Sequence, residues 1–399
     1  MIKQLKQRID NSIKEFISRE QSAGFLIIGA TALALILGNL PVHELIEKFW
    51  HIPASIETGS FRFSLPLHAW VNDGLMAVFF FMVGLEIKRE MIEGELSTFK
   101  KASLPVFAAL GGMIVPATIY TLFNFNNPET AHGWGVPMAT DIAFALAVLL
   151  LAGDRVPFML KLMLTSLAVV DDLGAIVVIA LFYTESLQLN YLLAAGAITL
   201  FLSLMNYAGV KRFVWYLVPG ILLWYFIFQS GVHATIAGVV FAMTIPHNKE
   251  NGTESTLLNV VHSIHIPVNF FILPIFAFNN TLITFTPEMF RDLASPMALG
   301  ISLGLILGKP IGITLFVWLA IKTGISTLGK NIGIKHIFSV SILGGIGFTM
   351  SIFISLLAFK DADMINAAKL AILISSILAA VIGLIMVKST LTTTTSEHK

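Results

Sequence analysis

The sequence contains no cysteine, so no disulfide can staple the chain and its redox compartment is unreadable. Charge is scarce: 12% of the 399 residues are Asp, Glu, Lys or Arg, against about 25% in a soluble domain. That leaves too little polar surface to clothe a soluble core. An ordinary cytosolic enzyme, a disulfide-built secreted scaffold and a disordered regulator are excluded. An excess of one sign is missing too. The formal net charge is +1, which offers no basic field for nucleic acid. A cleavable leader pattern is also lacking, because Lys3, Lys6, Arg8, Lys14 and Arg19 are not followed by a long apolar run and a small-residue cleavage site. Apolar residues recur instead at Ile2, Leu5, Ile9, Ile13, Phe16 and Ile17. That pattern suits a short amphipathic helix lying on a membrane surface.

What the chain has in abundance is apolar residues, 56% of the total. A spanning helix needs about 20 mostly apolar residues. About twelve such stretches are legible, near 23–40, 68–86, 103–125, 134–151, 158–183, 190–208, 213–229, 231–246, 260–281, 296–320, 335–358 and 364–387. Twelve spans put both termini on one side. Of the 25 lysines and arginines, only Lys48, Arg62, Arg291, Lys360 and Lys369 fall on the opposite side, with Lys309 inside a span. The positive-inside rule therefore makes both termini cytoplasmic. The expected organisation is a cytoplasmic amphipathic segment at 1–22, one transmembrane domain at 23–387 and a cytoplasmic tail at 388–399. Between the first two spans, Gly59-Ser60-Phe61-Arg62-Phe63-Ser64 alternates as a small outside hairpin would, at about 51–65. Its open edge suits pairing with a second subunit.

Charges inside apolar spans are the informative residues: Asp73 in span 2, Asp141 in span 4, Asp171 and Asp172 in span 5, and Lys309 in span 10. Each costs about 2.5 to 3.5 kcal/mol at a helix centre. The four deepest would together cost about 12 kcal/mol if they faced lipid. Three aspartates and one lysine leave charge unbalanced, so a merely structural ion pair does not account for them. They pair, bind an ion or line a water-filled cavity. Asp171 and Asp172 stand about 100° apart on a helix and reach a common cavity. Two close carboxylates in low dielectric do not both stay ionised cheaply, so protons and hard cations such as Na⁺ compete for the same oxygens. Competition becomes exchange when the site opens to one side at a time.

Two spans carry helix-breaking residues. Span 4 reads Pro137-Met138-Ala139-Thr140-Asp141. Pro137 frees a backbone carbonyl, and Thr140 and Asp141 can serve freed groups. Span 11 reads Gly344-Gly345-Ile346-Gly347-Phe348-Thr349, which suits unwinding or close helix packing. Half-helix ends carry partial charges of about ±0.5. Asp141 suits facing positive ends, and Lys309 suits negative ones. Gly308-Lys309-Pro310 adds a break beside a charge.

Several ordered blocks resemble the NhaA-type sodium/proton antiporter family across about residues 20–385. They are Trp70-Val71-Asn72-Asp73-Gly74-Leu75-Met76, Val83-Gly84-Leu85-Glu86-Ile87-Lys88-Arg89-Glu90, Ala139-Thr140-Asp141-Ile142-Ala143-Phe144, Asp171-Asp172-Leu173-Gly174, Ser230-Gly231-Val232-His233-Ala234, Gly308-Lys309-Pro310 and Gly345-Ile346-Gly347-Phe348-Thr349-Met350-Ser351. The resemblance implies an all-α polytopic membrane protein of twelve helices. Spans 4 and 11 would be unwound and crossing, and the helices arranged as inverted-topology repeats. Spans 3–5 and 10–12 share only weak sequence similarity. It also implies electrogenic exchange of Na⁺ or Li⁺ for more protons than cations, in a homodimer of the inner membrane. Asp172 would be the main Na⁺ ligand, Asp171 its neighbour and Lys309 the ionic partner of Asp171. Asp141 and Thr140 would compensate charge and support the crossing. The rule that two interrupted spans mark a transporter's binding site was generalised partly from this family, so it adds no independent argument.

The resemblance also implies a pH response, for which Glu86, Arg89, Glu90 and His233 are candidates. Glu86, Arg89 and Glu90 also read as a solvated helix end, and His233 as a hydrogen-bonded packing residue. His262 and His265 have no clustered Cys or carboxylate to complete a metal site. Here the sequence departs from the family: the usual acidic residue before His262 is Val261, and the preceding stretch reads Leu257-Leu258-Asn259-Val260. A shifted or blunter pH profile is expected. The rival reading is a Na⁺- or H⁺-coupled symporter of a small organic solute. An enzyme is not expected, because adjacent aspartates cannot face each other across a peptide as a protease requires. No cofactor is expected.

Overall fold

The computed structural model describes residues 20–58, 61–153, 156–184, 187–248, 255–328 and 332–396. The amphipathic segment expected at 1–22 lies almost wholly outside them. Helix α1 (Ser22–Gly38) turns by 116° into the short α2 (His43–Trp50). Strands β1 (Pro53–Thr58) and β2 (Phe61–Pro66) follow as an antiparallel hairpin. Then come α3 (Leu67–Ile92), α4 (Phe99–Asn124), the bent pair α5 (Pro128–Met138) and α6 (Ile142–Leu150), α7 (Phe158–Phe182) and α8 (Leu189–Tyr207). Two shorter apolar helices, α9 (Val214–Gln229) and α10 (Thr235–Thr244), lead to α11 (Thr256–Asn280) and α12 (Pro296–Lys322). A second bent pair, α13 (Ile334–Leu343) and α14 (Phe348–Ala358), precedes α15 (Ala362–Ser396).

Among the described residues, seven helices are long and apolar enough to cross a membrane, or ten if each bent pair counts as one span. Twelve stretches are legible in the sequence, and the difference has a physical cause. The turn at Ser230-Gly231, with Gly231 at φ 83°, divides one apolar run into α9 and α10. At 16 and 10 residues these are about 24 and 15 Å long, short of a hydrocarbon core of about 30 Å. Beyond 387, where the apolar run thins, α15 continues as helix to Ser396.

Apolar side chains point outward as well as inward. Leu189, Leu193, Leu200 and Leu204 of α8 are all exposed, a surface that lipid, not water, tolerates. Inside, helices meet through small residues. A Cβ on Gly111 of α4 would lie 2.1 Å from the Gly312 carbonyl of α12, and a Cβ on Gly312 would lie equally close to the Gly111 carbonyl. Between α3 and α10, a Cβ on Gly238 would lie 2.2 Å from the Ala77 carbonyl. Backbones this close gain dispersion contacts where no hydrophobic force drives association.

The buried core is in two parts. The larger runs through α3–α7 and α11–α15. A smaller one gathers Phe81, Leu85, Leu202, Tyr216, Leu223 and Phe241 from α3 and α8–α10. The hairpin packs against the start of α3 and the end of α9. Ser55 and Ser64 pair across its strands at 2.8 Å, and buried Phe63 packs edge-on against Trp70, Trp224, Tyr225 and Phe228.

The close approach of α4 and α12 gives a direct test. Gly111→Val should destabilise the protein by about 1–3 kcal/mol and lower its melting temperature in detergent. Gly29→Ala, which would meet nothing within 4 Å, should leave it unchanged. Equal melting temperatures for the two variants would refute this packing.

Candidate functional site

Two broken helices and a buried ion pair build the site. The chain bends by 43° between α5 and α6 and by 57° between α13 and α14. The breaks at Ala139-Thr140-Asp141 and Gly344-Gly345-Ile346-Gly347 touch each other: the Asp141 N–H donates to the Ile346 carbonyl at 2.7 Å. Pro137 removes one helical donor in the first break. In the second, Gly345 is needed for space, since a Cβ there would lie 2.4 Å from the Leu305 carbonyl of α12.

Each break frees backbone groups, and side chains serve them. Asp141 Oδ1 accepts from the Phe144 N–H at 3.0 Å, capping α6. Asp141 Oδ2 accepts from the N–H of Thr349 at 3.1 Å and from its hydroxyl. One carboxylate therefore faces two helix N-termini, the positive ends of both half-helices. The Ser376 hydroxyl of α15 accepts from the Phe348 N–H at 3.1 Å. The Ser351 hydroxyl donates to the Val136 carbonyl at 2.8 Å, and the Thr140 hydroxyl donates to the Gly344 carbonyl at 2.9 Å. Sequence reasoning missed the roles of Ser351 and Ser376. Hydroxyls in otherwise apolar runs beside a break were the available signal.

Lys309 reaches the same place from α12. Its Nζ donates to Asp171 Oδ2 at 2.6 Å and to Thr140 Oγ1 at 2.8 Å. Lys309, Asp171, Asp172 and Asp141 are each at most 2% exposed. The break expected at Gly308-Lys309-Pro310 is instead a π-helical turn, Gly304–Gly308, inside an otherwise continuous α12. One widened turn accommodates the N–H that Pro310 lacks without ending the helix. Asp171 Oδ1 is buried and has no hydrogen-bond partner among the described residues. Asp172, on the next step of α7, lies within electrostatic reach of Asp171, Glu86, Asp141 and Lys309. Two carboxylates and one ammonium make this buried group net negative, which a monovalent cation or a proton would balance.

The other candidates lie apart. Glu86 is half-buried on α3 near Arg89 and Glu90. Arg89 Nη2 lies 3.3 Å from Glu90 Oε1, and Glu90 Oε2 accepts from the Glu95 N–H at 2.9 Å. Asp73 occupies a π-helical turn, Trp70–Leu75, at the hairpin end of α3. It is about 20 Å of helix away from Glu86, and its carbonyl accepts from Trp224 Nε1 at 3.0 Å. His233 is half-buried in the turn between α9 and α10. Val261 is buried on α11, while His262 and His265 are exposed.

Comparison with known proteins identifies the architecture. The family model described as Na⁺/H⁺ antiporter 1 matches residues 14–387. The chain belongs to the Na⁺/H⁺ antiporter 1 family. It is 49% identical over 374 residues to Na⁺/H⁺ antiporter NhaA 2 of Flavobacterium johnsoniae, covering 94% of this chain and 91% of that protein. It is 47% identical over 376 residues to Na⁺/H⁺ antiporter NhaA of Yersinia enterocolitica, covering 94% and 95%. The Vibrio vulnificus NhaA is 44% identical over 393 residues, covering 98% and 99%. The resemblance read from the motif blocks is thus shown across nearly the whole chain.

Asp141 carries a prediction for this family member. Asp141→Ala removes the acceptor for two helix ends and should cost about 2 kcal/mol of stability. Asp141→Asn keeps a good cap at α6 and should lose less. Thermal unfolding in detergent orders the three proteins, and an alanine variant as stable as wild type would contradict the bonding described.

Proposed function

We propose that this chain exchanges Na⁺ for protons across a membrane, with Asp171 and Asp172 holding either cation in turn. The observation that carries this reading is the orphaned Asp171 Oδ1 beside Asp172, on a carboxylate already paired with Lys309. The names of the relatives, sodium/proton antiporters, support the same pair of ions. With the site open to the cytoplasm, Na⁺ displaces protons from the aspartate pair. The loaded site opens outward, Na⁺ leaves and protons return down their gradient. As Na⁺ enters, Asp172 releases one proton and Lys309 a second as its ion pair with Asp171 breaks, and both groups take protons back on the outward side, so more protons than sodium ions move per cycle and the exchange is electrogenic. Li⁺ is carried as well.

In this reading α9 and α10, with the ten spans above, complete twelve membrane segments arranged as inverted repeats. The two broken segments cross near the midplane. The protein works as a homodimer in the inner membrane with both termini cytoplasmic. It maintains internal pH and salt tolerance, and it catalyses no covalent chemistry. Asp141 and Thr140 hold the crossing, and Glu86, Arg89, Glu90 and His233 shape the pH response. The symporter reading is not favoured, because every relative compared is named for cation exchange.

Na⁺ added to proteoliposomes holding a preset pH gradient should collapse it for the wild type at pH 8.5. Asp172→Asn should show no collapse. Folded wild type that fails to move protons at pH 6.5 and 8.5 would sink the antiporter reading, and uptake of a labelled organic anion would then favour the symporter.

A further inference from the structure

Away from the aspartate site, two histidines meet at the base of the hairpin. The strands pair antiparallel with Pro53 opposite Pro66, and the Leu67 N–H donates to the Ile52 carbonyl at 3.1 Å. Carried two positions past Pro53, that register sets His51 opposite His68. Their ring centres are 4.9 Å apart and the rings are tilted by 51°. His51 is exposed and His68 is half-buried. Side chains opposite one another across an antiparallel pair lie within reach of each other, so the hairpin itself fixes the approach of the two rings.

Backbone carbonyls orient both rings. His51 Nδ1 lies 2.8 Å from the Glu47 carbonyl, and His68 Nδ1 lies 3.3 Å from the Trp50 carbonyl, both in the last turn of α2. A carbonyl only accepts, so each Nδ1 carries the proton and each Nε2 keeps its lone pair. Neither Nε2 has a hydrogen-bond partner among the described residues. A ring N–H anchored on a carbonyl, with the other nitrogen open, is how metal-binding histidines are held. Two imidazoles bound about 2.0–2.1 Å from one tetrahedral ion set their ring centres about 5 Å apart, close to the separation here. The surrounding charge suits a cation, because the end of α2 carries the negative pole of that helix. Nearby charged side chains are already matched: Lys48 with Glu44 at 4.0 Å, His43 with Glu47 at 3.4 Å and Arg62 with Glu57 at 2.9 Å. Among the described residues no third histidine, cysteine or carboxylate joins the pair, so water completes the shell.

We propose that His51 and His68 form a two-imidazole site for a late divalent transition metal such as Zn²⁺. This goes beyond the exchange of Na⁺ for protons and does not depend on it. Imidazole nitrogen suits Zn²⁺, Cu²⁺ and Ni²⁺, whereas Mg²⁺ and Ca²⁺ take oxygen ligands that the pair lacks. Bound metal joins the residue that closes α2 to the first turn of α3, across the open end of the hairpin. It ties α2, the hairpin and α3 into one piece. In the proposed topology this end faces outward, so the metal arrives from outside while Na⁺ goes to the buried aspartates.

The test is equilibrium dialysis of the whole protein, purified without an affinity tag, against Zn²⁺ in detergent. One Zn²⁺ per chain should be held saturably, and an excess of Mg²⁺ should not displace it. His51→Gln and His68→Gln should each weaken that binding by about tenfold or more. His262→Gln, at an exposed histidine of α11, should leave it as it is. Saturating Zn²⁺ should raise the melting temperature of the wild type and of neither hairpin variant. Cu²⁺ reads the geometry: its electron spin resonance should show two coupled nitrogens in the wild type and one in either variant. If His68→Gln fails to fold, His51→Gln decides, because its side chain is exposed and either loss alone must break the site. Absence of saturable binding overturns the proposal, as does binding that His51→Gln retains or that His262→Gln abolishes. None of these readouts needs transport, so the site stands or falls separately from the antiporter reading.

Discussion

An apolar interior offers no water to a broken backbone, and the structure is organised around that constraint. Every N–H and C=O released where a helix stops must find a partner within the protein. Two helices stop midway here, and they stop against each other. The Asp141 N–H meets the Ile346 carbonyl, and hydroxyls of Thr140, Ser351 and Ser376 take up other freed groups from three directions. The hydroxyl of Ser376 comes from α15, so the long last helix is tied into the centre. The close glycine contacts of α4 with α12 bring Lys309 within reach of the breaks.

Charge follows from the same constraint. Helix ends that meet concentrate partial charge, and the structure answers with full charges of opposite sign. Asp141 faces two N-termini. Lys309 bonds the Thr140 hydroxyl, which in turn serves the Gly344 carbonyl at the end of α13. Asp171 then balances Lys309, and Asp172 is left over. A purely structural network would end in neutrality. This one carries an excess carboxylate beside an orphaned oxygen on Asp171, a poor arrangement for stability and a good one for a mobile cation. The breaks, Lys309 and Asp171 are therefore joined in one buried hydrogen-bonded network.

Much of this was legible in the chain. Charged residues in apolar runs announce themselves by cost, so Asp141, Asp171, Asp172 and Lys309 stood out individually. Their pairing did not emerge from the residues themselves, because Asp171 and Lys309 are 138 positions apart and no local pattern links them; the family resemblance alone implied it. Proline and clustered glycine marked both breaks. Gly308-Lys309-Pro310 suggested a third break where a π-helical turn keeps α12 whole. Local propensity could not distinguish the two outcomes, because neighbouring helices, here α4 and α13, determine which backbone is tolerated. Asp73, which the sequence already set apart from the four deepest charges, is half-buried far along α3 at the hairpin end.

Composition and periodicity by themselves determined the solvent, the helical class and the residues too costly to be idle. Those properties are sums over local sequence, since transfer free energy and helical hydrogen bonding are settled within about twenty residues. The meeting of Asp141 with Thr349 and of Thr140 with the Gly344 carbonyl belonged to the tertiary structure alone, whereas that of Lys309 with Asp171 was implied by the family resemblance and by no local pattern. Each joins groups from distant segments, and which groups meet depends on how closely whole helices approach. That approach is set by steric fit over entire faces, such as Gly111 against Gly312, and a one-dimensional pattern does not encode it.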